Sequence, residues 1–314
     1  GKDFTLESLK KDGYSAISLA IGSHRSKKFP LPGDNVEGIL PGIQFLKAYN
    51  LHGVELAKGH VGIIGGGNSA IDAARVALRQ KGVDSVTIFY RRTRNEMPAY
   101  AEEIEAALEE GVKLETLVMP ISIKSANGKL TGLECQRNEL GERDESGRAQ
   151  WVPIPGSEFV TAVDTLVVAI SEEPELEVCG DLKASRQGFL AVNPESCVTS
   201  EAGIFGGGDV VTGASTVVAA IAAGRNAAIM MDRYLSGKQL RKLPSVLLPT
   251  VYVAPVSSED EGEAVGRLHI DHLSVEARVK NFKEVDLCPS ENHALCEARR
   301  CLRCDIEFTQ PAMN

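Results

Sequence analysis

Three consecutive glycines, Gly65-Gly66-Gly67, separate the apolar run Val61-Gly62-Ile63-Ile64 from Asn68-Ser69-Ala70-Ile71-Asp72. This order constrains the chain more than any other stretch, because it asks a buried strand to become a helix within a few residues. Glycines allow the tight turn and let the backbone approach a ligand. The unpaired N–H groups of a helix starting near Asn68 then face negative charge. In G-x-G-x-x-A form the fingerprint falls on Gly65, Gly67 and Ala70, and it marks Gly65, Gly66, Gly67, Asn68, Ser69 and Ala70 as candidate contacts to a dinucleotide pyrophosphate. The context agrees with a strand-turn-helix-strand unit. Ala70 to Gln80 is expected to be helical with one apolar face, Lys81-Gly82 ends it, and Ser85 to Tyr90 is β-branched and aromatic.

The end of that second strand bears on which dinucleotide is expected. A site for NAD carries a carboxylate there for the ribose 2′-hydroxyl, whereas a site for NADP(H) uses arginine for the 2′-phosphate. This chain has Tyr90-Arg91-Arg92-Thr93-Arg94 and no acidic residue in the run. Arginine forks suit phosphate oxygens, so Arg91, Arg92 and Arg94 are the candidate 2′-phosphate residues and NADP(H) the expected cofactor.

Composition narrows the alternatives. A net charge of −9 argues against nucleic acid as a partner. The apolar stretches Thr216 to Met231 and Ser245 to Val256 are interrupted by Arg225 or by prolines, so no membrane span is expected. The opening Gly1-Lys2-Asp3-Phe4 lacks the order of a signal peptide. Seven cysteines, four of them crowded into the last stretch, suit a reducing compartment better than a disulfide framework. The expected location is cytoplasmic.

Along the chain, Ser15 to Ile21 reads as a short buried strand, and Lys27 to Asn50 as a Pro/Gly-punctuated connection. A helix is expected after Pro98, with Ile104, Ala107 and Leu108 on one face, stopping at Gly111 before a strand Val112 to Val118. Asn127-Gly128 signals a hairpin, Asn138 to Arg148 a polar loop, and Thr165 to Ile170 a buried strand. The expected result is a β-α-β-α-β unit closed by a small antiparallel meander.

A second nucleotide-like signal follows in Ile204-Phe205-Gly206-Gly207-Gly208-Asp209, a strand running into glycines and a carboxylate. Ser215, Thr216 and Val217 then open a helix. Asp209 can accept hydrogen bonds from a polyol, and the helix start can face a polar ring atom or phosphate. Without a ligand, the same residues form a capped turn.

Taken together, Leu19-Ala20-Ile21-Gly22, the glycine run, Tyr90 through Ala99, Val167-Val168-Ala169-Ile170 and Gly203 through Asp209 resemble the pyridine nucleotide-dependent flavoproteins of the glutamate synthase small-subunit type, within the disulfide oxidoreductase fold. The resemblance covers almost all of residues 1 to 240. It implies an α/β fold in which a Rossmann-like NADP(H) domain with a β-meander is inserted into an FAD domain. The expected division is 1–50 for an FAD-domain strand and linker, 51–170 for the NADP(H) domain, 171–240 for the C-terminal part of the FAD domain, and 241–314 for a polar tail with a Cys-rich helix. It further implies Gly208 and Asp209 at the flavin ribityl chain, Ser215, Thr216 and Val217 near the isoalloxazine ring, and Ala169, Ile170 and Ser171 close to cofactor.

The family pattern departs here in two places. A first glycine fingerprint for FAD is missing before Ala20-Ile21-Gly22, where about twenty residues are too few for a β-α-β unit of about 30; the chain is therefore expected to be the C-terminal part of a longer protein, with FAD bound in the full-length form. Ser171 also stands where the pattern has glycine.

The implied activity passes electrons from NADPH through FAD to iron-sulfur centres or a partner subunit. The alternative is a non-catalytic nucleotide-binding or subunit-docking module. No side chain qualifies as a catalytic acid or base: His24, His52, His60, His269, His272 and His293 read as surface or capping groups.

In the tail, Ser257 to Glu263 is acidic and Ser290 to Arg303 is expected to be helical. Cys288, Cys296, Cys301 and Cys304 offer four thiols, but C-x7-C-x4-C-x2-C is not a ferredoxin spacing. The stretch Glu297-Ala298-Arg299-Arg300-Cys301-Leu302-Arg303-Cys304-Asp305 is similar to one found in relatives. Cys301-Leu302-Arg303-Cys304 has the C-x-x-C spacing of zinc or iron-sulfur ligands; free thiols are the expectation, with a metal or cluster as the alternative.

Overall fold

The computed structural model describes residues 3–143, 147, 149–241 and 268–299. The chain divides into Gly1–Lys242 and Leu243–Asn314.

In the first unit a five-stranded parallel sheet runs in the order Ile39–Pro41, Thr165–Val168, Gly59–Ile64, Val83–Tyr90, Lys113–Thr116. Its two faces have different cover, and the period-2 alternation of the strands assigns each side chain to one of them. Val61, Ile63, Val86, Ile88 and Val167 pack toward the helices Gly42–His52, Asn68–Leu78 and Ala101–Glu109. Ile64, Phe89 and Leu166 pack toward an antiparallel meander of Val118–Ala126, Lys129–Arg143, Ala149–Pro153 and Phe159–Ala162.

The helix after the glycines buries Ala70, Ile71, Ala73, Ala74 and Ala77. Four alanines on that face let the helix approach the sheet closely, with Ile71 filling the remaining gap. At its far end Glu110, whose side chain is wholly buried, accepts hydrogen bonds from Arg75 at 2.8 Å and Arg79 at 2.7 Å. Arg75 also reaches Glu103 at 2.6 Å, so this network ties the glycine helix to Ala101–Glu109.

Several expected elements shift. The stretch Lys27 to Asn50 is more than a connection: it holds the edge strand Ile39–Pro41 and the helix Gly42–His52, with Pro41 as its N-cap and Gly53 ending it in the left-handed conformation, φ 64°. Pro41, which reads as loop punctuation, stands at that helix's start, and Gly53 beyond the expected connection is its stop signal. The single strand expected over Val112 to Val118 is two, broken at Leu117, where φ is 56°. Lys113–Thr116 joins the parallel sheet and Val118–Ala126 the meander.

The polar loop expected over Asn138 to Arg148 is corrected as well. Lys129–Arg143 continues as one strand, pairing Asn138 with Pro153, Glu139 with Val152 and Leu140 with Trp151. An edge ribbon is held by its backbone ladder, so polar side chains do not prevent it from forming. The Asn127-Gly128 hairpin turn has both residues at positive φ, 52° and 74°.

Beyond the sheet, Ile17–Leu19 pairs in parallel with Ile204–Gly206, a shorter strand than the Ser15 to Ile21 expected. Helix Val217–Leu235 follows, its N-cap Thr216 accepting from the Ala219 N–H at 3.2 Å. The two chain crossings between this part and the nucleotide-type sheet lie side by side. Arg25–Ser26 pairs antiparallel with Glu172–Glu173, and the Lys27 N–H donates to the Ser171 carbonyl at 2.9 Å.

The second unit contains helices Val275–Arg278 and Glu291–Arg299. The expectations for Ser257 to Glu263, Cys301 and Cys304 fall outside the described residues. Among the described residues no helix is long and apolar enough to cross a membrane.

Candidate nucleotide-binding site

The three glycines stand at the carboxyl end of the central strand, and each has a separate physical reason. Gly65 has φ 147°, and a Cβ there would overlap the Ala169 carbonyl oxygen. A Cβ at Gly66 would collide with the Tyr90 ring, whose hydroxyl donates to the Glu96 carbonyl at 2.7 Å. Gly67 faces open space, with Pro98 Cγ 4.0 Å from where its Cβ would be. It is also the N-cap of Asn68–Leu78, and no side chain caps that helix. A helix start without a side-chain cap, beside an open glycine, presents backbone N–H groups and a partial positive charge to an anion.

The opening continues into a cavity of about 620 Å³ whose lining includes Gly65, Gly66, Gly67, Ser69, Arg91, Arg92, Glu96, Ala169, Ile170, Ser171 and Glu172. That volume lies within the ~300–1,000 Å³ usual for a ligand site. Ala70 packs beneath it in the core, and the Asn68 side chain accepts from the Tyr100 N–H at 3.0 Å. At the mouth, the Ser69 hydroxyl donates to Glu172 at 3.3 Å, and Lys27 lines the same cavity.

The arginines separate by role. Arg91 and Arg92 both line the cavity. Arg94 is turned to Glu105, with which it forms an exposed ion pair, and it is not among the lining residues. Arg92 Nε donates to the Ala149 carbonyl at 2.6 Å, and the Arg91 guanidinium lies 5.8 Å from the centre of the Trp151 ring. Glu96 closes a capping box, accepting from the Thr93 hydroxyl at 2.7 Å and N–H at 3.1 Å. The Thr93 hydroxyl holds its carboxyl below the usual range.

Sequence reasoning did not find Lys27, Glu172 or Trp151. Lys27 and Glu172 reach the cavity from the inter-sheet ribbon, and Trp151 lies beside Arg91 from the meander; no local motif connects either to the glycines. Trp151, the only tryptophan, was the available signal.

The second signal forms a smaller groove. Gly208 has φ 74° and precedes Asp209, whose carbonyl accepts from the Ser23 hydroxyl at 2.9 Å. A cavity of about 160 Å³ is lined by residues that include Ala20, Gly22, Gly208, Asp209 and Gly224. It is well below the ~300–1,000 Å³ of a ligand site. On the helix behind it Val217 and Val218 are each 76% exposed and Ile221 is 67% exposed. Ser215 and Thr216 sit at the helix start, where the Thr216 hydroxyl is engaged in capping. The donor set, a carboxylate beside a positive-φ glycine and a helix N-terminus, fits the polyol and ring end of a flavin cofactor.

Among the described residues no cysteine lines either cavity. Burial, reinforced by Glu115 and Glu134, pushes the Cys135 thiol up to about 12. Among the described residues no group of three or more His, Cys, Asp or Glu side chains could hold a metal ion.

Residues 1–224 match the family model of the pyridine nucleotide-disulphide oxidoreductases. The chain belongs to this family. Among curated members it is 38% identical to the NADP(+)-dependent formate dehydrogenase subunit beta of Moorella thermoacetica, over 97% of this chain and 44% of that protein. It is 36% identical to the NADPH-Fe(3+) oxidoreductase subunit beta of Geobacter sulfurreducens, over 97% of this chain and 50% of that one. The glutamate synthase [NADPH] small chain of Escherichia coli is 34% identical, over 73% of this chain and 52% of its own length. The chain thus spans about half the length of these curated relatives.

Among solved structures, FprA from Mycobacterium tuberculosis in complex with NADPH superposes with a TM-score of 0.61 at 17% identity, covering 73% of this chain and 65% of FprA. Thioredoxin reductase of Lactococcus lactis gives 0.55 at 20% identity, covering 71% and 66%. The α/β oxidoreductase fold expected from the resemblance is therefore the family fold.

Proposed function

We propose that this chain is the NADPH-handling portion of a flavoprotein oxidoreductase that passes electrons from NADPH through FAD to iron-sulfur centres or a partner subunit. One observation carries the reading. A glycine turn at a helix start without a side-chain cap and a strand-end pair, Arg91 and Arg92, line the same cavity. Pyrophosphate suits the former and a ribose 2′-phosphate the latter.

The names of the relatives support this assignment. Two curated relatives are beta subunits of NADP- or NADPH-dependent oxidoreductases and a third is a glutamate synthase small chain, so a partner subunit is part of the proposal. Gly65 to Ala70 would hold the pyrophosphate, Arg91 and Arg92 the 2′-phosphate, and Ala169, Ile170 and Ser171 the wall toward the nicotinamide end. Gly208, Asp209 and the Ser215-Thr216-Val217 helix start would hold one side of FAD. The flavin supplies the conversion of two-electron to one-electron transfer, and this chain's residues bind, orient and shield. The location proposed is cytoplasmic.

Calorimetric titration of the Arg91→Ala, Arg92→Ala double variant tests the assignment. NADPH binding should weaken by at least about 2 kcal/mol, from charge-assisted hydrogen bonds of about 1.5–3 kcal/mol each, while NADH binding barely moves. Equal losses for the two nucleotides would sink the 2′-phosphate assignment.

A further inference from the structure

The two segments that cross into and out of the nucleotide-type sheet each bring a charged side chain to the glycine cavity. Lys27 and Glu172 line it together with Gly65, Gly66, Gly67 and Ser69. Their backbones are fixed by the ribbon: the Lys27 N–H donates to the Ser171 carbonyl at 2.9 Å, and Glu172 pairs in register with Ser26. Their side chains differ in what they touch. Arg25, two residues before Lys27, is taken up by Glu173 and Glu177, both at 2.9 Å. Lys27 forms no ion pair among the described residues, with Glu172 or any other. Glu172 accepts from the Ser69 hydroxyl at 3.3 Å, and Ser69 stands in the first turn of Asn68–Leu78, the helix without a side-chain cap.

We propose that this ribbon sets the strength of pyrophosphate binding with two opposed charges: Lys27 as a direct partner of the diphosphate, and Glu172 as the carboxylate that the diphosphate displaces from Ser69. The inference rests on the assignment of Gly65 to Ala70 to the pyrophosphate. Each phosphate of the linkage carries a negative charge, whereas a helix N-terminus supplies only about half a positive one. An ammonium on a four-carbon stem meets phosphate oxygens as a point charge and needs no fixed fork geometry. In the same cavity it completes the neutralisation that the helix start begins. Glu172 works against it. A carboxylate beside the helix start repels a second anion, and it holds the hydroxyl from which a phosphate oxygen would accept. Because NADPH and NADH share the pyrophosphate, both residues act on affinity and neither on the choice between the two nucleotides.

The test titrates NADPH and NADH calorimetrically into the 314-residue chain and its variants, at low salt and again at about 1 M, where the screening length is about 3 Å. Lys27→Met should weaken both nucleotides by the same factor, about three- to tenfold, and Lys27→Arg should stay within about twofold of wild type. Glu172→Gln keeps an acceptor for Ser69 but removes the charge, and should tighten both nucleotides by about two- to fivefold. A gain of affinity cannot arise from a damaged fold. At high salt the effects of Lys27→Met and Glu172→Gln should both shrink below about twofold.

A loss confined to NADPH would move Lys27 to the 2′-phosphate, and a loss indifferent to salt would make its role one of packing. Either result overturns the proposal, as does a Glu172→Gln variant that binds no tighter than wild type. Gly67→Ala separates the two claims. If it weakens both nucleotides while the Lys27 and Glu172 variants change neither, only the role of the ribbon fails. If it leaves both nucleotides unchanged, the pyrophosphate assignment beneath fails too.

Discussion

Gly65 and Ala169 directly follow strands that neighbour each other in the sheet, and the Ala169 carbonyl oxygen occupies the space a side chain at position 65 would need. The glycine is therefore demanded by the fold before any ligand arrives. Gly67, two residues on, meets nothing closer than Pro98 Cγ at 4.0 Å, so the fold leaves that position open.

This contrast predicts opposite outcomes for two similar substitutions. Gly65→Ala combines positive φ with a collision against backbone and should cost about 1–3 kcal/mol or more in urea denaturation. Gly67→Ala should fold with stability within about 1 kcal/mol of wild type yet lose NADPH affinity, since its new methyl would intrude on the proposed pyrophosphate. If both variants lose stability to the same degree, the division between fold-driven and ligand-driven glycines is wrong.

The buried ion network predicts a pH dependence. Burial alone pushes the Glu110 carboxyl up, but hydrogen bonds from Arg79 and Arg75 outweigh that and hold it at about 2, against an ordinary value of 4.5. A depressed carboxyl stabilises the fold above pH 4.5 and loses that contribution as pH falls through about 2. The contribution at neutral pH is about 3 kcal/mol. Glu110→Gln should therefore cost about 3 kcal/mol at pH 7, because it removes the buried carboxylate that Arg75 and Arg79 share, and the gap to wild type should close toward pH 2. Urea unfolding across that range measures it; a gap that is constant with pH would assign the loss to packing alone.

Thiol reactivity should follow burial. Cys135, at about 12, is buried, whereas Cys288 is exposed. At pH 8 a thiol with a pKa of about 12 is ionised roughly one part in ten thousand, against about a quarter for an ordinary thiol near 8.5. Peptide mapping after brief alkylation should find Cys288 labelled and Cys135 protected until denaturant is added. Rapid labelling of Cys135 in the native chain would contradict its place between sheet and meander.

The strand-turn-helix at Val61 to Asp72 was legible because its signal is local: apolar alternation, glycines and alanines at helical spacing. The helix Gly42–His52 was hidden by the same logic, since Pro41 and Gly53 are both loop residues and helix terminators. The extended strand to Arg143 was missed because an edge ribbon is held by backbone pairing and leaves almost no side-chain pattern. Arg91 and Arg92 could be singled out by position along a strand, whereas the turn of Arg94 toward Glu105 depends on a helix packed beside it. Glu172 reaches the cavity, and Trp151 the Arg91 side chain, through long-range topology, which no single stretch of sequence encodes.

The hydrogen bond between the Lys27 N–H and the Ser171 carbonyl closes a loop of chain that leaves and returns at one place. Such a segment meets the rest of the chain at one place. Its two ends need only a short antiparallel splice, so a nucleotide module of different cofactor preference can be grafted between Ser26 and Glu172 without rethreading the host around it. Under the proposed function, the choice of reductant is thereby separable from whatever accepts the electrons.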